Sequence, residues 1–277
     1  MKNLLVPVEL HSAADSVLQT AVLFARRFGS YIEGVPLGPD LPDLVAFDMP
    51  VSWTVADQNT WRELAEDSRL RFSQFMAAAN VPEHESAPAG LSYGWAGETA
   101  LGDSHVSSYA RIFDVTVLGR PGAERGDPRM ATAEAVLFDS GRPILLAPPK
   151  PPSIIGDTIV IAWNQSTETT RAVALAMPIL QQARRVIVLT IPERKVEGPT
   201  GERLAHNLRA NGVPAEAVDR SGKGKAHGEA LLEHSTALGA DLLVKGAYTQ
   251  SRLRQMIFGG ATSHILAKAG LPVFMSN

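Results

Sequence analysis

Along the chain, short runs of apolar residues alternate with longer stretches in which apolar positions recur at helical spacing. That alternation is the βαβ signature of a parallel sheet. In the C-terminal half it predicts strands at 158–163, 186–191, 215–219, 241–246 and 272–276, with helices at 167–183, 200–211, 226–238 and 260–269. Leu, Val and Ile crowd these strands without alternating with polar residues, as expected where helices cover both faces of a sheet. In the N-terminal half the strands fall near 3–8, 31–36, 84–88, 114–119 and 143–147, and the helices near 13–29, 58–80, 97–111 and 131–140. The stripe Leu64, Leu70, Phe72, Phe75 and Met76 reads as the core face of a helix. Right-handed crossovers between parallel strands force doubly wound sheets. The expected class is therefore α/β, with two tandem doubly wound domains, each a five-stranded parallel sheet with helices on both faces.

Internal repeats support the division into two. Ala110-Arg-Ile-Phe-Asp114-Val-Thr-Val-Leu-Gly119 lines up with Ala237-Leu-Gly-Ala-Asp241-Leu-Leu-Val-Lys-Gly246 at an offset of 127, and Gly141-Arg-Pro143 lines up with Gly270-Leu-Pro272 at 129. The first strands, Leu4–Val8 and Ile159–Trp163, match at 155. The fall in offset places about 28 extra residues in the first half, most of them in the stretch 36–57. Between the halves runs Ala147-Pro-Pro-Lys150-Pro-Pro-Ser153, which suits neither helix nor inner strand. The expected domains are 1–148, with an insertion near 36–57, and 153–277.

Composition narrows the chemistry. With 277 residues, 45% hydrophobic and 20% charged, the chain can bury two cores and is not disordered. It has no cysteine, which removes disulfides, thiolate metal sites and cysteine nucleophiles together. After Met1-Lys2-Asn3 a five-residue apolar run stops at Glu9, far short of a signal peptide or a membrane span, so a cytoplasmic protein is expected. The net charge of −3 argues against nucleic-acid binding. Yet residues 1–148 hold 11 Lys+Arg against 19 Asp+Glu, and residues 153–277 hold 14 against 10. An anion would bind the second half.

In an open parallel sheet, ligands bind at the carboxyl ends of the strands where strand order reverses, here beside strands 1 and 4 of each half. After strand 4 of the second half comes Gly246-Ala-Tyr-Thr249-Gln-Ser-Arg252-Leu-Arg254-Gln-Met-Ile-Phe-Gly259-Gly260-Ala-Thr262-Ser263. Glycines let backbone amides approach a ligand, helix N-termini hold phosphate oxygens, and Thr262, Ser263, Arg252 and Arg254 add hydroxyls and charge. Strand-end and capping roles for the same residues compete with that reading. Lys223 and Lys225, in a basic turn after strand 3, are further candidate anion contacts, although the turn lacks P-loop spacing. Trp163 could stack on a base or simply pack.

The stretch 246–273 resembles the closing loop, helix and strand of the universal stress proteins. Nucleotide-binding members of that family carry G-x2-G-x9-G-[ST]. Gly246 and Gly259 match the first and third glycines, Thr249 stands at the second, and Gly260 stands where Ser or Thr is usual. By resemblance Thr262 is a second phosphate-facing hydroxyl, and Asn164 takes the place of the family's Asp after strand 1, with Glu9 its counterpart in the first half. In the first half Gly119-Arg-Pro-Gly122 matches G-x2-G, but Thr132 and Ala133 stand where Gly and Ser/Thr belong. That half, the more acidic one, is expected to be a degenerate partner domain. The resemblance also implies an intramolecular pseudo-dimer through the strands near 143–147 and 272–276, with a homodimer through another face as a further option.

The seven histidines form no H-x3-H or H-E-x2-H pattern, so no metal site is expected. Asp103-Ser104-His105 are sequence neighbours, whereas a working triad is assembled from separate elements. The expectation is a stress-response binding and regulatory protein whose second domain binds an adenine nucleotide (ATP, with Mg²⁺ only alongside it) without efficient turnover. The loop from Gly246 to Gly260 holds no Asp or Glu to serve as a general base. The alternatives are a nucleotide hydrolase or adenylate-transferring enzyme, and a structural protein whose sites have decayed.

Overall fold

The computed structural model describes residues 1–38, 53–84, 90–122, 126–192, 197–222, 224–247 and 261–277, residues 53–58 by backbone alone. Packing divides the chain into two units, Met1–Arg142 and Pro143–Asn277.

The first unit holds β1 (Asn3–Val8), α1 (Ala14–Phe28), β2 (Tyr31–Pro36), α2 (Trp53–Ala78), β3 (Ser92–Trp95), α3 (Asp103–Tyr109), β4 (Val115–Gly119) and α4 (Met130–Asp139). Its strands run parallel in the order β3-β2-β1-β4. Leu4, Leu5 and Val6 are wholly buried on consecutive positions, so both faces of β1 are covered, as an uninterrupted apolar run requires. The buried side of α2 is Ala65, Ser68, Phe72 and Met76 at helical spacing. Leu70, expected in that core, is 56% exposed. It stands two residues from both Ser68 and Phe72, which puts it on the opposite side of the helix.

The third strand is Ser92–Trp95, downstream of the expected 84–88, of which 85–88 lie outside the described residues. Ser92-Tyr-Gly-Trp95 is too short and too poor in aliphatic residues to register as an apolar run. Long-range packing places it instead: the Phe72 ring lies 5.5 Å from Tyr93 and 5.6 Å from Trp95, and Tyr31–Gly34 of β2 pair with Ser92–Trp95.

The second unit holds β5 (Ile144–Ala147), β6 (Thr158–Ala162), α5 (Thr167–Leu180), β7 (Arg185–Thr190), α6 (Gly201–Ala210), β8 (Ala215–Asp219), α7 (His227–Ala237), β9 (Leu242–Gly246), α8 (Ala261–Lys268) and β10 (Val273–Ser276). Its order is β5-β10-β9-β6-β7-β8. All pairs are parallel except β5 with β10, where Leu146, Leu145 and Ile144 face Val273, Phe274 and Met275. The strand that ends the first sequence repeat thus packs as part of the second unit. Every strand and helix expected after residue 153 is present to within three residues at its ends.

The two repeated aspartates have a structural explanation. Asp114 accepts from the backbone N–H groups of Lys2 and Asn3. Asp241 accepts from those of Gly156, Asp157 (3.0 Å) and Thr158 (2.9 Å). Asp114, just before β4, thus ties down the start of β1, and Asp241, just before β9, the start of β6, at the amino ends of the strands. Asp241→Ala would orphan three buried or half-buried donors, so a loss of about 3 kcal/mol is expected. A lower urea midpoint at unchanged slope would register it.

Candidate functional site

In the second unit β6 pairs with β7 on one side and β9 on the other. Strand order therefore reverses between β6 and β9, where an open α/β sheet forms its crevice. The β6–α5 connection borders one side. Ser166 caps α5, its hydroxyl accepting from Thr169 N at 3.2 Å. Asn164 Oδ1 accepts from Ser166 N (3.2 Å) and Thr169 Oγ1 (2.6 Å). The oxygen of Asn164 thus holds the turn in shape. Trp163 is 4% exposed and donates Nε1–H to Pro199 O at 2.8 Å. It packs rather than offering a stacking face.

Gly246 ends β9. A side chain there would run into the backbone of α5: its Cβ would collide with Thr169 N and come within 2.8 Å of Thr169 Cα. The glycine is required because the first turn of α5 presses on the end of β9. Likewise a Cβ on Gly228 would lie 2.8 Å from His264 Cβ, so the amino ends of α7 and α8 abut there.

Thr262 lies in the first turn of α8, 3% exposed, with Ser263 half-buried beside it. Its Oγ1 accepts from Lys245 Nζ at 2.8 Å, and the same ammonium donates to Gly246 O at 2.6 Å. Lys245 is 7% exposed, and burial pushes its amine down to about 8, against a weaker upward pull from Glu168. It escaped the sequence reading, although a signal was present. A cation interrupts Leu242-Leu-Val-Lys-Gly246, a strand buried along its whole length.

Of the other sequence candidates, Thr249, Arg252, Arg254, Gly259, Gly260 and Lys223 lie outside the described residues. Lys225 is 40% exposed and its ammonium is held by Glu233 at 2.5 Å, with Glu229 at 3.9 Å. The structure brings together Asn164, Gly246, Thr262, Ser263 and Lys245 around the carboxyl ends of β6 and β9.

The corresponding place in the first unit is filled by its own chain. Glu9, at the end of β1, sits 3.4 Å from Arg129 Nε, and Arg129 Nη2 reaches Asp103 Oδ1 at 3.0 Å and Gly38 O at 2.7 Å. Thr132 donates to Asp103 Oδ1 at 2.7 Å. Burial and the charge of Asp103 raise the Glu9 carboxyl, while Arg129 lowers it. Pro128 packs on Gly119, and the Asp127 carboxylate lies where a side chain on Gly122 would be. A cleft of about 640 Å³ lined by His11, Ser12, Arg71 and Asp127 opens nearby. Among the described residues, no group of three or more His, Asp or Glu is placed to hold a metal ion, and no helix is long and apolar enough to cross a membrane.

No family model matches the sequence. Stress response protein NhaX of Bacillus subtilis is 36% identical over 47 residues, 17% of this chain and 28% of that protein. The chain thus spans little more than a quarter of the length of this curated relative. Among solved structures, a universal stress protein from Archaeoglobus fulgidus matches 99% of this chain and 96% of its own, with a TM-score of 0.75 at 16% identity. A functionally unknown protein from Pseudomonas aeruginosa matches 100% and 92%, with a TM-score of 0.51 at 13% identity. The strand order within each unit and these likenesses agree: the chain has the universal stress protein fold.

Proposed function

We propose that this chain is a stress-response binding protein of the universal stress type whose second unit holds an adenine nucleotide at the carboxyl ends of β6 and β9 without efficient turnover. The observation that carries the reading is the contrast between the two switch points. In the first unit Arg129 and its carboxylates occupy the place from within. In the second, Thr262, Ser263 and the buried cation Lys245 gather at the start of α8, a surrounding that favours phosphate oxygens. The sequence from Gly246 to Gly260 carries no carboxylate, so the segment supplies no carboxylate base for water, and Mg²⁺ would enter only with ATP.

Calorimetric titration of the full chain with ATP, ADP, AMP and adenosine tests this. Wild type is expected to bind with micromolar or weaker affinity, and Thr262→Ala to bind about ten- to hundredfold more weakly, as loss of one hydroxyl contact to a charged oxygen implies. Absence of binding by wild type at millimolar nucleotide would overturn the reading in favour of decayed sites.

A further inference from the structure

Lys245 is an unusual group. Its ammonium is buried against a carbonyl and a hydroxyl, and among the described residues no carboxylate lies within ion-pair distance of it. A buried charge without a counter-charge is unfavourable and resolves by losing its proton or by acquiring an anion. The neighbouring elements do not supply one. Strands β6 and β10, on either side of β9, carry no ionisable side chain. On α5 stand Glu168 and Arg171, and on α8 His264 and Lys268. Of these only Glu168 exerts an upward pull on Lys245, and it is too weak to offset burial. The sequence that follows, Ala247–Gly260, adds two arginines and no acid. Among the described residues this end of β9 lacks a counter-charge, which a bound anion would supply.

Building on the adenine-nucleotide reading, we propose that Lys245 is the specificity residue of the second unit. Held against Thr262 in the first turn of α8, its ammonium is neutralised by the phosphate of the ligand and so selects a phosphorylated nucleotide over the bare nucleoside. Docking of the phosphate restores a full proton to the amine, so binding and protonation are linked. Around pH 8, burial leaves Lys245 partly deprotonated in the ligand-free protein. There, binding takes up a fraction of a proton, and affinity for phosphorylated ligands falls as pH rises.

The test compares wild type with Lys245→Met, which removes the charge and keeps an apolar stem of similar length. The variant is expected to fold with at least wild-type thermal stability at pH 7, because it relieves a buried charge. Titration at pH 7 with adenosine, AMP, ATP and inorganic pyrophosphate is expected to show adenosine affinity unchanged and the three anions weakened tenfold or more. At pH 8.5, calorimetry in two buffers of different ionisation enthalpy should report proton uptake for wild type with ATP and none for the variant. If ATP binds both proteins equally and without proton uptake, this inference fails while the nucleotide reading stands. If pyrophosphate binds in a Lys245-dependent way and ATP does not bind, the anion role stands and the nucleotide reading fails. If neither binds wild type, both are overturned.

Discussion

Gly246→Ala is expected to destabilise the second unit by about 3 kcal/mol or more. The added methyl would meet backbone atoms of Glu168 and Thr169 at the first turn of α5. Backbone cannot rotate aside as a side chain can, so α5 must shift bodily from β9. The shift would also disturb the Ser166–Thr169–Asn164 hydrogen-bond chain. Urea unfolding should show the loss, and any nucleotide affinity should fall with it. This outcome separates two roles that the same glycine could serve. An alanine variant with wild-type stability and selective loss of nucleotide binding would mean that Gly246 is there to let a phosphate approach rather than to seat α5.

Arg129→Met is expected to cost the first unit about 3 kcal/mol at pH 7, because it strips the cation from between Glu9 and Asp103. Asp103 is 3% exposed at its side chain, and Glu9 is only 26% exposed, so neither carboxylate can be rescued fully by water. The pH dependence has a definite sign. Burial already holds the Glu9 carboxyl above its ordinary value, and removing Arg129 raises it further. A carboxyl raised in the folded state weakens the fold as pH rises through its folded value, and the penalty is absent below the unfolded value. The deficit of the variant should therefore be largest at neutral pH and shrink as pH is lowered toward 5. Chemical denaturation at several pH values would check it, and a deficit independent of pH would assign the loss to the Gly38 contact.

The two variants bear on one question, namely why two units of similar topology differ at their switch points. In the first, Thr132 stands where the motif has its third glycine, and its hydroxyl goes to Asp103. The Asp127-Pro128 pair sets a carboxylate over Gly122 and a ring over Gly119. Net charge pointed to the same asymmetry without revealing the mechanism.

What the sequence determined by itself was whatever depends on local pattern. Uninterrupted runs such as Ile159–Ala162 and Val186–Leu189 can be only buried strands when helices flank them, and the right-handed crossover then orders the sheet. The order in which Asp114, Gly119, Asp241 and Gly246 recur announced two copies of one unit. The tertiary structure decided whatever depends on residues far apart in the chain. Phe72 and β2 place Ser92–Trp95 as a strand, because four residues containing a glycine have no local preference strong enough to do so. The neighbour of Gly246 is α5, nearly eighty residues earlier, so its role as a packing glycine could not be separated from that of a phosphate-approach glycine by spacing. Lys245 becomes chemically distinct only when burial removes its water and Thr262 arrives from α8, since a side chain's charge is written in the sequence but the free energy of that charge belongs to its surroundings.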